Sequence, residues 1–539
     1  MIVEVSLNLL FPKRHSRVVR YANLAFAWLE RLSGHKRLMC LLAMVVTMTL
    51  RIALLPRLPV PKPYVTDEFS YLLGAETFAA GRITNSPHSM WEHFETLHEL
   101  VQPTYMSKYP PGQAVFLALG WKLGHPWLGV WISFGLFAAC LCWMLQNWVP
   151  PVYAVLGTAL TLSRISILGY WMNSYWGGAV AASAGCLLLG SLPRLARDRV
   201  KPKDVTIAAI GALLLANTRP YEGLIMMVAV LIGLVVWRTL RHRSLLELVS
   251  VRCLLPALLV FGTGAILDGY YNYRVTGNAL LMPHIAYLQQ YQVASSWLVL
   301  PERNPPVYRH FDIRNTWKEM DLDYQQKRAN PLDNLKDAYS IFVFYCSLLY
   351  LFPVAVGLLL SGSYRFWTAA GIYFCVWFGL LIETAKFPHY IAGAVGLLTL
   401  LVVYGFRLLR VIGKSYGPVL VLTCTILMCV QGKAPEQGRS WETRAANVMS
   451  PRMIAMGMVM KEAGRHLILV RYSAHRPDKS DECVYNGADI DGSQIVWARD
   501  MGEAKNKELL DYYHGSRKVW LYQPDNDPTK VVPYEVANH

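Results

Sequence analysis

Charge is scarce in this sequence. Asp, Glu, Lys and Arg make up 16% of 539 residues while 54% are hydrophobic, a balance that excludes an ordinary soluble multidomain enzyme and points to a polytopic membrane protein. Acidic residues are the scarcer sign, 36 against 52 Lys and Arg. The resulting net charge of +16 sits in clusters between apolar runs and forms no even basic face, which argues for loops beside anionic lipid and against nucleic acid as a partner. No Asn-x-Ser/Thr sequon occurs, so a bacterial inner membrane is expected rather than the endoplasmic reticulum. No HExxH pattern exists, and His88, His93 and His98 recur at a spacing that shares no helical face, so no metal site is expected from them. Nine of the ten cysteines fall in apolar runs and Cys483 stands alone in a polar region, which leaves no disulfide framework.

Apolar runs are what the chain has in abundance. They occur at about 38–55, 127–146, 150–168, 173–192, 204–218, 222–237, 252–271, 338–360, 366–383, 389–409 and 415–431, predicting an all-α polytopic protein with about eleven transmembrane helices. A further run, Pro111 to Gly124, is short for a span. If it does not cross, the basic clusters around Arg194 to Lys203, Arg238 to Arg243 and Arg407 to Lys414 all fall inside, and the outer turns hold only Arg219 and Lys386. Residues 1–37, with seven Lys and Arg before the first run, read as a cytoplasmic segment of an uncleaved signal anchor. The transmembrane domain is then 38–432, with a first outer loop at 56–110 and a large outer loop at 272–337. Residues 433–539 form an outer region in which helices near 452–463 and 505–513 and strands at 466–472, 495–498 and 518–522 predict a small soluble α/β domain.

Chemistry is expected on the outer face. Asp67 and Glu68 follow Pro61, Pro63 and Thr66 at the start of a predicted helix; adjacent carboxylates serve as a general base or as metal ligands, and equally as acids favoured by the macrodipole. Arg219-Pro220-Tyr221-Glu222 occupies a tight turn between apolar helices, where an arginine and a carboxylate are costly unless paired or used. The planar donors of Arg219 suit phosphate oxygens. Tyr175 and Trp176 close an aromatic turn from Tyr170, able to stack on a sugar ring or to anchor the membrane interface. Lys386, His389 and Tyr390 begin a late span, where a surface pair with Glu383 and an interfacial aromatic belt are the simpler roles. Asp268, Arg274, His284 and Tyr287 flank the large loop as candidates for acceptor or lipid contact.

Asp67-Glu68 beyond the first span, followed by Lys108-Tyr109-Pro110-Pro111-Gly112 opening an apolar helix, resembles the first outer loop of GT-C glycosyltransferases, nearest to the protein O-mannosyltransferase and aminoarabinose-transferase branches. Lys386-Phe387-Pro388-His389-Tyr390 is similar to that family's basic residue, spacer and aromatic at a late span. The resemblance covers about Leu38 to Arg410. It implies a GT-C-like fold, Asp67 as catalytic residue with Glu68 beside it, and Lys108 with Lys386 and His389 of the second motif around the phosphate of a polyprenyl-phosphate sugar donor, to which Arg219 is added from its own position and donor geometry. Tyr175, Trp176, Glu222 and Tyr390 would then meet sugar or acceptor. The implied reaction is transfer, with inversion, to a hydroxyl of a glycan, lipid or protein. Tyr170 to Trp176 holds no carboxylate where many family members have one, so a divalent metal is allowed and not required, and the cofactor is unknown. A transporter or flippase, or a noncatalytic scaffold, stands as the alternative; charges crowded on one face and the lack of paired interrupted helices speak against transport.

Overall fold

The computed structural model describes residues 15–165, 167–431, 450–473 and 482–535. Residues 1–14 of the expected cytoplasmic segment, and the boundary expected at 432/433, lie outside them.

Helices dominate to residue 430. In chain order they are α1 (His15–Ser33), α2 (Lys36–Ala53), α3 (Thr66–Ala79), α4 (Pro111–Lys122), α5 (Trp127–Trp148), α6 (Pro151–Ile165), α7 (Ala179–Leu195), α8 (Pro202–Ala216), α9 (Pro220–Leu240), α10 (Val251–Thr276), α11 (Pro283–Tyr291), α12 (Phe311–Ala329), α13 (Pro331–Tyr345), α14 (Leu348–Leu360), α15 (Tyr364–Ile382), α16 (Val395–Ile412) and α17 (Gly417–Val430). Pro111, Pro202, Pro220, Pro283 and Pro331 stand at helix starts, where a missing N–H costs nothing and a fixed φ is already helical.

Five described helices are long and apolar enough to cross a membrane, or six if α13 and α14 make one broken span. The run expected as a single span at 338–360 is in fact this pair, bent by 94° at the break. The run expected at 173–192 becomes helical only at Ala179, and that at 389–409 opens as a 3-10 segment, Pro388–Ala394, before α16. In both, aromatic side chains engaged in tertiary contacts occupy the first turn. α16 lies at the centre of the helical body. α10 lies at its edge, with Leu254, Leu255, Leu258, Leu259, Ile266 and Leu267 exposed, the apolar surface expected to meet lipid.

The C-terminal region adds helices α18 (Pro451–Val459) and α19 (Glu503–Tyr513) to a sheet of β3 (His466–Val470), β4 (Ile495–Arg499), β5 (Lys518–Tyr522) and β6 (Val531–Pro533), after a short β1 (Glu99–Leu100) and β2 (Met106–Ser107) in the first loop. The order is β4-β3-β5-β6, parallel except for the antiparallel β5–β6 edge. This sheet packs on the first loop: Leu467, Leu469, Val496 and Ala498 share a core with Leu73, Phe94, Val101 and Tyr105. Phe69 stacks on Tyr485 at 4.3 Å. Arg499, 2% exposed, ties three regions together, pairing with Asp312 of α12 and with Glu482 at 2.8 Å and donating to the carbonyl of Glu95.

Candidate active site

The site begins where α3 starts. Glu68 turns back to cap the helix, its Oε2 accepting from the backbone N–H of Tyr64 at 2.8 Å and Val65 at 2.9 Å, while Oε1 accepts from Tyr175 N–H at 2.9 Å. Burial pushes this carboxyl up to about 7, against the three N–H groups. The carboxylate is thereby occupied in joining the loop to the aromatic turn. With Glu68 directed inward, its neighbour Asp67 faces another way.

Asp67 Oδ1 accepts a hydrogen bond from the Tyr109 hydroxyl, and Oδ2 lies 3.9 Å from His98 Nε2. Lys108 Nζ sits 2.7 Å from the other nitrogen of that ring, Nδ1. Burial pushes Lys108 down to about 8, with Asp67 opposing, so the ammonium persists at neutral pH. An ammonium only donates; Nδ1 is therefore the acceptor, and His98, pushed to about 3 by burial and Lys108, is neutral with its proton on Nε2 toward Asp67. Burial raises the Asp67 pKa, but His98, Lys108 and the Tyr109 hydroxyl outweigh it and hold the carboxyl below the usual value. Because His98 is neutral, Lys108 supplies the charge in that balance.

Lys108 itself is caged. Its Nζ lies over the rings of Tyr109 at 5.0 Å, Tyr287 at 4.8 Å and Trp317 at 5.8 Å, leaving it 5% exposed. His98 adopts a left-handed backbone with φ of 68°, sparsely populated for a non-glycine residue. Three hydrogen bonds hold it there: its N–H donates to Tyr287 Oη at 2.7 Å, and its carbonyl accepts from Ser70 Oγ at 2.6 Å and Lys108 N–H at 3.3 Å.

Arg219 comes alongside through the start of α4. Gly112 N–H donates to the Asn217 carbonyl at 2.8 Å, and a Cβ on Gly112 would lie 2.5 Å from that oxygen, so only glycine lets the Pro-Pro-Gly turn meet the α8–α9 turn. The Arg219 guanidinium lies 4.5 Å over the ring of Tyr390 and within electrostatic reach of Tyr71, Glu222 and Tyr109. Tyr71 in turn stacks on Tyr109 at 4.4 Å. Among the described residues no carboxylate lies within salt-bridge distance of Arg219, which leaves its donors available to an anion.

The remaining expected residues divide. Lys386, 7% exposed, donates to Asn334 Oδ1 and to the Glu383 carbonyl, so its ammonium is held by the protein. His389 meets the Tyr170 hydroxyl at 3.1 Å and Trp176 at 4.6 Å between ring centroids, inside a buried aromatic cluster. Tyr175 and Trp176 are buried as well, Tyr175 donating to the Pro61 carbonyl at 2.8 Å. Glu222 and Tyr390 line the Arg219 side. Among the described residues no group of three or more His, Cys, Asp and Glu is arranged to hold a metal.

Sequence reasoning missed Tyr71 and Trp317, considered His98 only as a metal ligand, and offered Tyr287 as an acceptor or lipid contact, whereas its ring lies against the Lys108 ammonium. The visible signals were faint: His98 lies ten residues before Lys108, while Tyr287 and Trp317 belong to the large outer loop.

No protein-family model matches the sequence, and no curated protein does. Solved structures that resemble the chain include ArnT from Cupriavidus metallidurans bound to undecaprenyl phosphate, 12% identical over 92% of this chain and 96% of that one with a TM-score of 0.46, and ArnT from the same organism in the apo state, 11% identical over 89% and 93% with a TM-score of 0.46. Likeness at this level fixes no residue role.

Proposed function

We propose that this chain is a membrane glycosyltransferase of the GT-C type, moving a sugar from a polyprenyl-phosphate donor to an acceptor hydroxyl at the outer face. The observation that carries the reading is Asp67: an ionised carboxylate bonded to the Tyr109 hydroxyl, with the Arg219 guanidinium, which has no carboxylate within salt-bridge distance among the described residues, within electrostatic reach of the same Tyr109. Asp67 takes the proton of the acceptor hydroxyl as that oxygen attacks the anomeric carbon opposite the phosphate. The new C–O bond forms as the bond from anomeric carbon to phosphate oxygen breaks, and polyprenyl phosphate leaves with inverted configuration in the product. Arg219 receives the charge that develops on the departing phosphate, with Lys108 contributing from its cage. Lys386, held by Asn334 and Glu383, acts on the phosphate only through its field.

Glu68 organises this site through its backbone contacts, with both oxygens engaged by N–H groups, and is not the base. Glu222, Tyr390 and the buried Tyr175 and Trp176 shape the walls against which sugar and acceptor are held. The expected eleven crossings, a cytoplasmic N-terminus and an outer C-terminal region belong to the same proposal, supported by basic clusters at one end of the helical body and by packing of the C-terminal sheet on the first loop. The test is release of polyprenyl phosphate by purified protein in nanodiscs, compared between parent and Asp67→Asn; equal release by the two removes the assignment.

A further inference from the structure

α9 carries Arg219 at its first turn and Arg241 just past its last, about 30 Å away at 1.5 Å per residue. A cavity of about 190 Å³ opens at that second end, between the ends of α7, α9 and α15, on the face opposite the candidate active site. Arg197, Arg241, Arg243 and Arg365 line it, with Asp198 as the lining carboxylate, paired to Arg243. Among the described residues Arg197, Arg241 and Arg365 have no carboxylate within salt-bridge distance.

Arginines at an inner membrane edge are ordinary, and a solvated fringe would point outward along the lipid surface. Here the guanidiniums converge on a concavity. Arg365 lies 5.4 Å over the ring of Trp237 and Arg241 lies 5.3 Å over that of Tyr364, and the two rings meet edge to face at 5.3 Å, so an aromatic floor holds both cations in place. The loops are also fixed from within. Arg238, 0% exposed, donates to the carbonyls of Leu195 at 2.9 Å, Arg197 at 2.8 Å and Ser244 at 3.0 Å, knitting the segment of Arg197 to that of Arg243.

We propose that this cavity binds the phosphate head group of an anionic phospholipid from the leaflet opposite the active site. Planar guanidiniums match phosphate oxygens in pairs, and basic pockets between helices suit such head groups. At about 190 Å³ and open to solvent, the cavity has room for a phosphate head group. Exposed Val236 and Leu240 on α9 and Trp367 on α15 provide apolar surface beside the cavity for the chains. A free phosphate shares the head-group chemistry but gains nothing from that surface.

The test is native mass spectrometry of the full chain, washed in detergent and re-exposed to phosphatidylcholine vesicles with or without phosphatidylglycerol. Wild type should retain one phosphatidylglycerol per chain in preference to phosphatidylcholine. Arg241→Gln with Arg365→Gln should lower that retention by about tenfold or more, while Arg199→Gln with Arg252→Gln, the same charge change at exposed positions outside the cavity, should leave it unchanged. Equal loss in both pairs would mean diffuse charge attraction and overturn the site. A melting assay on wild type alone covers the case in which the first pair misfolds: phosphatidylglycerol should raise the transition and millimolar inorganic phosphate should not. Equal protection by phosphate would make the ligand soluble and overturn the lipid assignment.

Discussion

Lys108 Nζ and His98 Nδ1 lie 2.7 Å apart, and this single contact fixes which nitrogen of the imidazole carries the proton. An ammonium cannot accept, so the Nε2–H is on the side of Asp67, whose Oδ2 lies 3.9 Å away, beyond a direct hydrogen bond but close enough for the ring dipole to favour the carboxylate.

Asp67→Asn should abolish sugar transfer while leaving expression and donor binding near those of the parent. The amide keeps the size of the side chain and cannot take a proton, and general-base catalysis supplies roughly a hundred- to ten-thousand-fold of rate. Release of polyprenyl phosphate measures the loss.

Glu68→Gln should act on stability before chemistry. The carboxylate accepts from three backbone N–H groups, and a glutamine turns an NH2 toward at least one of those donors. The expected cost is about 1 to 3 kcal/mol, read from denaturant or thermal unfolding in detergent. Unchanged stability with lost turnover would instead make Glu68 the base.

The pH profile of kcat/KM should fall on the alkaline side at about pH 8. Lys108 is an ammonium below its lowered pKa of about 8 and an amine above it, so the field on Asp67 and the departing phosphate weakens as pH rises through that value. Asp67, held below its ordinary value of 3.8, stays ionised through neutral pH and places the acid limb below that point. In Lys108→Arg the alkaline limb should move up by at least about one pH unit, since arginine does not titrate there.

Arg219→Ala and Lys386→Ala should separate. Loss of the Arg219 guanidinium, which among the described residues has no carboxylate within salt-bridge distance, should weaken donor use by about 1.5 to 3 kcal/mol in kcat/KM without unfolding the protein. Lys386 is engaged by Asn334 and the Glu383 carbonyl, so its removal should lower thermal stability along with activity. The reverse pattern would transfer the phosphate contact to Lys386.

Arg499→Met should loosen the C-terminal sheet from the loops beneath it. It leaves Asp312 and Glu482 buried without their cation, a change expected to cost about 3 to 5 kcal/mol. Protease sensitivity of the region beyond residue 450 is the readout.

Composition and the long apolar runs pointed to the membrane class, because such runs are stable only away from water, and the basic clusters supplied an expected side for each run. The same kind of local signal found Asp67 and Glu68 at a helix start and Arg219 in a turn where charge needs a reason. Local pattern failed where geometry depends on distant partners. The 338–360 run is uniformly apolar and reads as one helix, yet it breaks by 94°, and hydropathy carries no term for direction. The division of labour between adjacent Asp67 and Glu68 is likewise invisible in sequence, since it depends on Tyr175, 107 residues beyond Glu68, offering its N–H. His98 belongs to the site because Tyr287 and Trp317 close around Lys108 from a region about two hundred residues further along the chain. The sequence by itself determined which groups are available. Which of them are spent on the fold and which remain for chemistry was decided by tertiary structure, because a hydrogen bond or a cation over a ring exists only once both partners have been brought within a few ångströms.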